Sequence, residues 1–400
     1  MHETSWWPAL DSRHSAICDA VRDHVPVWER RAVAAERSKR LPSETYAELH
    51  ACGVLELFSP LGSVSDTSAW PTLVEASRIA ARGCASTGWM IAMLGGHAAI
   101  AMRTGANCVR QLYRNGVRQR FASASAGPQS RLSYIDGGIH VTGRWRFSSG
   151  IEDATWLMLN APCSGYPGVE PGDKVVVLVE RRHVRPLASW QASGMCATGS
   201  QDVEIDHLAD VGCATPLAEL FGVREEEGAG EYLHVVPVVP YVTTSIVGPL
   251  VGAAEGAYDA WLATLRDSSL TDAKARDRAA ERVGHAAAEL AAVRLMYVSL
   301  IGRLHDAGVA RRALDATDCL ALRRDRAYLA NRCVDIVRRI VERAGASTFT
   351  SENTIQRRWR DIQVMAAHRD VAWETAMTQY GESMLTQADV MAPSSGRANS

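Results

Sequence analysis

The hydrophobic period of this chain changes twice, which confines it to folds that insert a sheet between two helical parts. From about residue 11 to 118 apolar side chains recur at helical spacing. Between about 118 and 223 the period falls to two, broken by turn signals, and after Pro240 the helical period returns and persists. A length of 400 residues exceeds what one core usually organises. We therefore expect an α+β, mainly α chain in three parts: an N-terminal helical domain over 1–118, a compact antiparallel β-barrel or sandwich over 119–225, and a C-terminal four-helix bundle over 226–400.

Ser43 is expected to cap a short helix that Gly53 stops, and Ser68 a second with Pro71 in its first turn. The stretch 85–103 is nearly all small or apolar, so as a helix it must be buried between domains or subunits. His97 lies in its middle, beside Gly95 and Gly96, where another group can approach closely. Strands are expected at 120–125, 139–147, 155–160, 174–180 and 201–205. The glycine-punctuated stretch 190–202 suits a loop lining a site and equally an idle surface loop. Helices at 241–266, 272–307, 312–344 and 354–386 carry faces too apolar for one layer of contacts, which points to an oligomer. Gly252 and Gly256 are spaced for close helix packing. The segment 224–235 reads as a mobile connector, and the polar chain from Gln387 as a disordered tail.

Charge and cysteine usage exclude several classes. Net charge is -2 and the only basic run is the short 37–40, so neither nucleic acid nor an anionic membrane is an implied partner, and a small molecule is. The nine cysteines are odd in number, scattered and free of any C-x-x-C pair, which argues against a disulfide framework or a metal site and fits a reducing cytoplasm. The longest apolar run, 90–102, is too short and interrupted to span a bilayer, and residues 1–10 do not read as a signal peptide. No G-x-G-x-x-G after a strand, G-x-x-x-x-G-K-[ST], H-E-x-x-H or G-x-S-x-G is present.

The octet 143–150 (Gly-Arg-Trp-Arg-Phe-Ser-Ser-Gly) follows a tight-turn signal at 136–138 and ends a hairpin arm. Trp145 and Phe147 with a terminal Ser149-Gly150 offer an apolar wall, a hydroxyl and close backbone approach, the needs of a planar ring ligand. On these residues alone a hairpin with core aromatics and an ordinary turn is the favoured reading.

Four strings in order, Cys84 to Trp89 (CASTGW), the octet with Trp156 after it, Thr198 to Val203 (TGSQDV) and Gln356 to Asp361 (QRRWRD) followed by His368, resemble the flavin-dependent monooxygenases built on the acyl-CoA dehydrogenase fold. These are the oxygenase halves of two-component systems. The resemblance runs over nearly the whole chain. It implies a homotetramer that takes reduced FMN or FAD from a separate NAD(P)H:flavin reductase, adds O2 at flavin C4a to form a hydroperoxide, and oxygenates a small aromatic, nitrogen or sulfur centre, as in a secondary-metabolic tailoring step. It further implies Ser149 as a donor on the N5 side, Trp145, Phe147 and Trp190 as pocket walls, and Thr198 and Ser200 at flavin edges. His368 is the implied acid or base and His97 a second active-site histidine, although a lone histidine on an apolar face is as readily a core residue. Arg357 and Arg358, with Arg360, are implied at a flavin phosphate, with Arg266, Ser347 and Thr348 as weaker candidates; helix-surface salt bridges are an equal alternative for each arginine. Many members carry a second histidine where this chain has Gln363 or Met365.

An ordinary FAD-dependent acyl-CoA dehydrogenase resembles this group in fold but carries a thr-glu-pro string and a tyr-glu-gly string. Here 121–128 reads FASASAGP and 349–353 reads FTSEN, which leaves Glu352 a poor candidate for a base. A flavin-free protein that binds a hydrophobic metabolite is the alternative of another class.

Overall fold

The structure, a computed structural model, describes residues 10–60, 67–224, 231–267, 272–350 and 352–391. Five helices come first: α1 (Ser12–Ser38), α2 (Ser43–Ala51), α3 (Ala69–Gly83), α4 (Ala85–Ala101) and α5 (Ala106–Leu112). Pro42, not Ser43, occupies the cap position of α2, because the Ser43 hydroxyl turns to Glu44. Gly53 follows α2 at φ +76, the left-handed conformation that ends it. Ser68 precedes α3 without lending its side chain as a cap. Every residue of α4 is buried except Met93 and His97, one turn apart on a single face.

The strands are β1 (Phe121–Ala126), β2 (Arg131–Ile135), β3 (Gly138–Ser148), β4 (Trp156–Ser164), β5 (Lys174–Glu180), β6 (Arg185–Leu187), β7 (Gln201–Asp210) and β8 (Ala214–Pro216), with the short α6 (Leu217–Phe221) after them. They form one sheet in the order β6-β7-β3-β1-β4-β5-β8, with β2 joined to both β3 and β4. The sheet is mixed, not antiparallel as expected: β1 and β2 each run parallel to β4. Period-two patterning reveals strands but not their direction, and β2, β6 and β8 are too short or too exposed to register in it. One face of the sheet closes over its own core, which includes Val141, Trp145, Leu157 and Val177.

The remaining helices are α7 (Val239–Thr244), α8 (Val247–Asp267), α9 (Ala273–Val309), α10 (Ala316–Arg343), α11 (Thr354–Ala366) and α12 (Trp373–Met391). Gly248, Gly252 and Gly256 bring α8 onto α3 so closely that a Cβ at each would overlap Ser77, the Arg78 carbonyl or the Arg82 carbonyl. The single helix expected at 354–386 is broken. His368 caps a 3-10 turn at Arg369–Val371, taking the Asp370 N–H on Nδ1 at 3.3 Å, and buried Arg326 of α10 donates to the Asp370 carbonyl at 2.7 Å. Of the connector at 224–235, residues 225–230 lie outside the described residues, whereas Tyr232–His234 forms a 3-10 turn that buries Tyr232 and Leu233 in the core and so is not the mobile link expected. Of the tail, Gln387 to Met391 continues α12, and 392–400 lies outside them. Among the described residues no helix is long and apolar enough to cross a membrane.

Candidate active site

The end of β3 is bent by a bulge. Pairing with β7 runs Trp145 against Val203 and resumes at Ser148 against Gln201, so Arg146 and Phe147 face the single residue Asp202. The bulge corrects the expectation that Trp145 and Phe147 share a wall. Trp145 is fully buried in the sheet core, whereas Phe147, at φ +59, is turned out and 52% exposed under the Arg146 guanidinium, 4.7 Å from its ring centre. Asp202 holds the distortion by accepting from Phe147 N at 3.3 Å and from Arg144 Nη2 at 2.6 Å. An aromatic at positive φ is a strained position of the kind that collects at functional sites.

Beyond the bulge three hydroxyls form a chain of fixed direction. Thr198 Oγ1 donates to the Met195 carbonyl at 2.8 Å, so its one proton is used. The contact at 2.7 Å between Ser200 Oγ and Thr198 Oγ1 must then carry the Ser200 proton, and the contact at 2.8 Å between Ser149 Oγ and Ser200 Oγ the Ser149 proton. In this arrangement Ser149 keeps lone pairs to offer. Trp190, half-buried, donates Nε1 to the Met195 and Cys196 carbonyls at 3.3 and 3.2 Å, and Gly150 N donates to the Thr198 carbonyl at 2.8 Å. The stretch 190–202 is therefore docked against the end of β3.

Helix α4 runs behind these groups. Gly150, at φ +70, sits against Met90, where a Cβ would overlap the methionine methyl. The neighbouring Trp89 meets the His368 ring edge-on, 5.5 Å between centres. Burial lowers the His368 pKa, the Arg369 and Arg326 charges add to this, and Asp370 opposes it. Two turns on, His97 donates Nδ1–H to the Phe121 carbonyl at 2.8 Å and takes the Ser123 hydroxyl on Nε2 at 2.9 Å. Its pKa is pushed down to about 4 by burial. Both ring nitrogens are thus engaged by β1, and burial favours the neutral ring.

The expected phosphate arginines separate. Arg358 is buried between Glu29, at 2.5 Å, and the Arg82 carbonyl, and Arg360 is spent on Glu36, Gln356 and the Ser193 carbonyl. Arg357 is buried without a hydrogen-bond acceptor among the described residues. Arg266 is exposed in the last turn of α8. Ser347 is exposed and Thr348 buried in the turn Ala346–Phe349. Glu352 is exposed and paired with Arg37 at 2.8 Å. Beside the bulge lies a cavity of about 370 Å³ lined by Gly127, Pro128, Gln129, Arg144, Arg146 and Asp202. Arg146 and Asp202 were missed in the sequence because a bulge has no compositional signal. No cluster of three or more metal-ligating side chains occurs among the described residues.

The family described as "Acyl-CoA dehydrogenase, C-terminal domain" matches residues 244–373. The oxygenase subunit HsaA of a flavin-dependent monooxygenase from Rhodococcus jostii (strain RHA1) is 27% identical over 369 residues, covering 89% of this chain and 95% of its own. The oxygenase component of an FADH(2)-dependent resorcinol hydroxylase from Rhizobium sp. (strain MTP-10005) is 24% identical, with 94% and 96% covered. The solved structure of XiaF from Streptomyces sp., in complex with FADH2 and glycerol, superimposes with a TM-score of 0.84 at 21% identity, covering 93% of this chain and 96% of that one. The chain thus has the acyl-CoA dehydrogenase fold. Within that fold, the relatives of similar length are named as oxygenase components of flavin-dependent monooxygenases, and the chain is similar to these.

Proposed function

We propose that this chain is a reduced-flavin-dependent monooxygenase acting on a small organic substrate, with electrons delivered through a separate flavin reductase. The observation that carries the reading is the hydroxyl chain at the bulged end of β3, which with Thr198 donating to the Met195 carbonyl would leave Ser149 as an acceptor. A reduced flavin carries a proton on N5, so an acceptor there suits the reduced state, whereas oxidised flavin has a bare N5. A bound reduced flavin would supply the two electrons by which O2, with two protons, yields one oxygen atom in the product and one water.

The chain's own residues do the rest. Ser149 would take the N5–H and keep that proton in place. Arg146, exposed, stacked on Phe147 and without a carboxylate partner among the described residues, would meet the phosphate of FMN or FAD; Arg144 is already paired with Asp202. Arg357, whose charge already acts on Asp361, is a second candidate cation, while Arg358 is committed elsewhere. His368, held neutral near pH 7, would take the proton of a substrate hydroxyl or amine as oxygen transfers. Trp89 fixes the ring of that base, and the buried wall of α4 excludes water. Absence of a carboxylate where a dehydrogenase base would stand, with Glu352 facing Arg37, weighs against an acyl-CoA dehydrogenase.

The relatives' substrates suggest a phenol, and the apolar helix faces a homotetramer. The test is turnover under 18O2 with an unrelated NADH:flavin reductase, FMN or FAD, and a panel of phenols. One labelled oxygen per product is expected; a desaturated product without label would make the chain a dehydrogenase, and no flavin-dependent product would favour a binding protein.

A further inference from the structure

The loop that carries Thr198 and Ser200 is held from α11. Met195 N donates to Asp361 Oδ1 at 2.6 Å, and Asp361 is 7% exposed. Gly194 lies so close on the Arg360 carbonyl that a Cβ would overlap it, and Arg360 Nη1 reaches the Ser193 carbonyl at 2.6 Å. So pinned, Met195 adopts φ +54, unusual for a residue with a side chain. The carbonyl it aims collects three protons: Thr198 N at 3.1 Å, Thr198 Oγ1 at 2.8 Å and Trp190 Nε1 at 3.3 Å. Thr198 Oγ1 is the first hydroxyl of the chain that ends at Ser149.

We infer that Asp361 is a positioning residue for Ser149: by fixing Met195 it fixes the acceptor that orders Thr198, Ser200 and Ser149 in one direction. The inference rests on Ser149 being the flavin contact. Without Asp361 the Met195 carbonyl is free to turn away, Thr198 can spend its proton on Ser200, and the chain reverses or scrambles, presenting a hydroxyl proton where a lone pair is required. Around Asp361, Arg357 and Arg360 from α11 favour its charge, Glu36 from α1 opposes it, and Cys196 on the loop lies near. Burial outweighs the rest and pushes its pKa up to about 6.

Two readouts test this. Hydrogen exchange of the 190–200 segment, in the flavin-free protein, should quicken at least tenfold at Met195 in Asp361→Ala and stay slow in Asp361→Asn, which keeps an acceptor oxygen. In turnover with reduced FMN and a phenol, Asp361→Ala should raise the ratio of H2O2 to product about as much as Ser149→Ala, the double variant should be no worse than Ser149→Ala alone, and Asp361→Asn should recover most of the loss. Unchanged exchange in Asp361→Ala, or additive losses in the double variant, overturns the proposal. An unchanged ratio in Ser149→Ala overturns the flavin-contact reading beneath it, and the exchange data keep the two failures apart.

Discussion

His97 should remain neutral throughout the working pH range, and acid should reveal what that neutrality is worth. Its Nδ1–H is given to the Phe121 carbonyl and its Nε2 receives the Ser123 hydroxyl, so a second ring proton has no prepared partner. Burial pushes its pKa down to about 4, against about 6.5 in an unfolded chain. A histidine depressed on folding contributes stability that is fully present above the unfolded value and is lost as pH falls toward the folded one. The whole span is about 3.4 kcal/mol, and about 2 kcal/mol of it is gone by pH 5. The assay is urea unfolding of wild type and His97→Gln at pH 7.5 and pH 5, so that every other titrating group cancels in the comparison. Wild type should lose about 2 kcal/mol more than the variant between the two conditions. Equal losses, or an imidazole 13C titration of His97 with a midpoint near 6.5, would refute the argument.

Two further outcomes follow from packing. Gly143 stands at φ +116 with the Gln129 carbonyl where a Cβ would go, so Gly143→Ala should cost upwards of about 3 kcal/mol and show as a lowered melting temperature. Arg326 is 6% exposed and ties α10 to Thr243, Thr244 and the Asp370 carbonyl, so Arg326→Met should destabilise the chain by about 3 kcal/mol, measured by thermal unfolding. It should also raise the apparent pKa of the His368-dependent step in kcat, because a cation that lowers the histidine's pKa is gone. A kcat profile identical to wild type would detach Arg326 from that histidine.

What the sequence reveals is what depends on composition and period. The apolar composition of α4 and the glycine spacing of α8 against α3 are legible because burial and backbone contact demand particular side chains. Strand direction is not legible: β1 and β4 run parallel, yet their alternation is that of any half-buried strand. The break after Ala366 is hidden for a related reason. No glycine or proline marks it, and it is made by His368 capping its own turn and by an arginine 42 residues upstream in the chain. The site divides the same way. Ser149, Thr198, Ser200, Trp190 and His368 stand in recognisable strings, and the structure brings the first four together. The outward turn of Phe147, the burial of Trp145 and the engagement of both His97 nitrogens come from one bulge, one backbone carbonyl and one serine hydroxyl, which alternation cannot show. Arg357, Arg358 and Arg360 are neighbours in sequence, but their helix aims them at three different surroundings.

The central claim is that Ser149 holds the N5 proton of a reduced flavin, and the most direct measurement is the H2O2-to-product ratio of Ser149→Ala in reductase-driven turnover. Loss of one neutral hydrogen bond of about 1 kcal/mol should raise that ratio about fivefold, with product still bearing one oxygen from O2. A ratio equal to that of wild type would contradict the account, because the ordered hydroxyl chain would then have no part in keeping oxygen on the path to product.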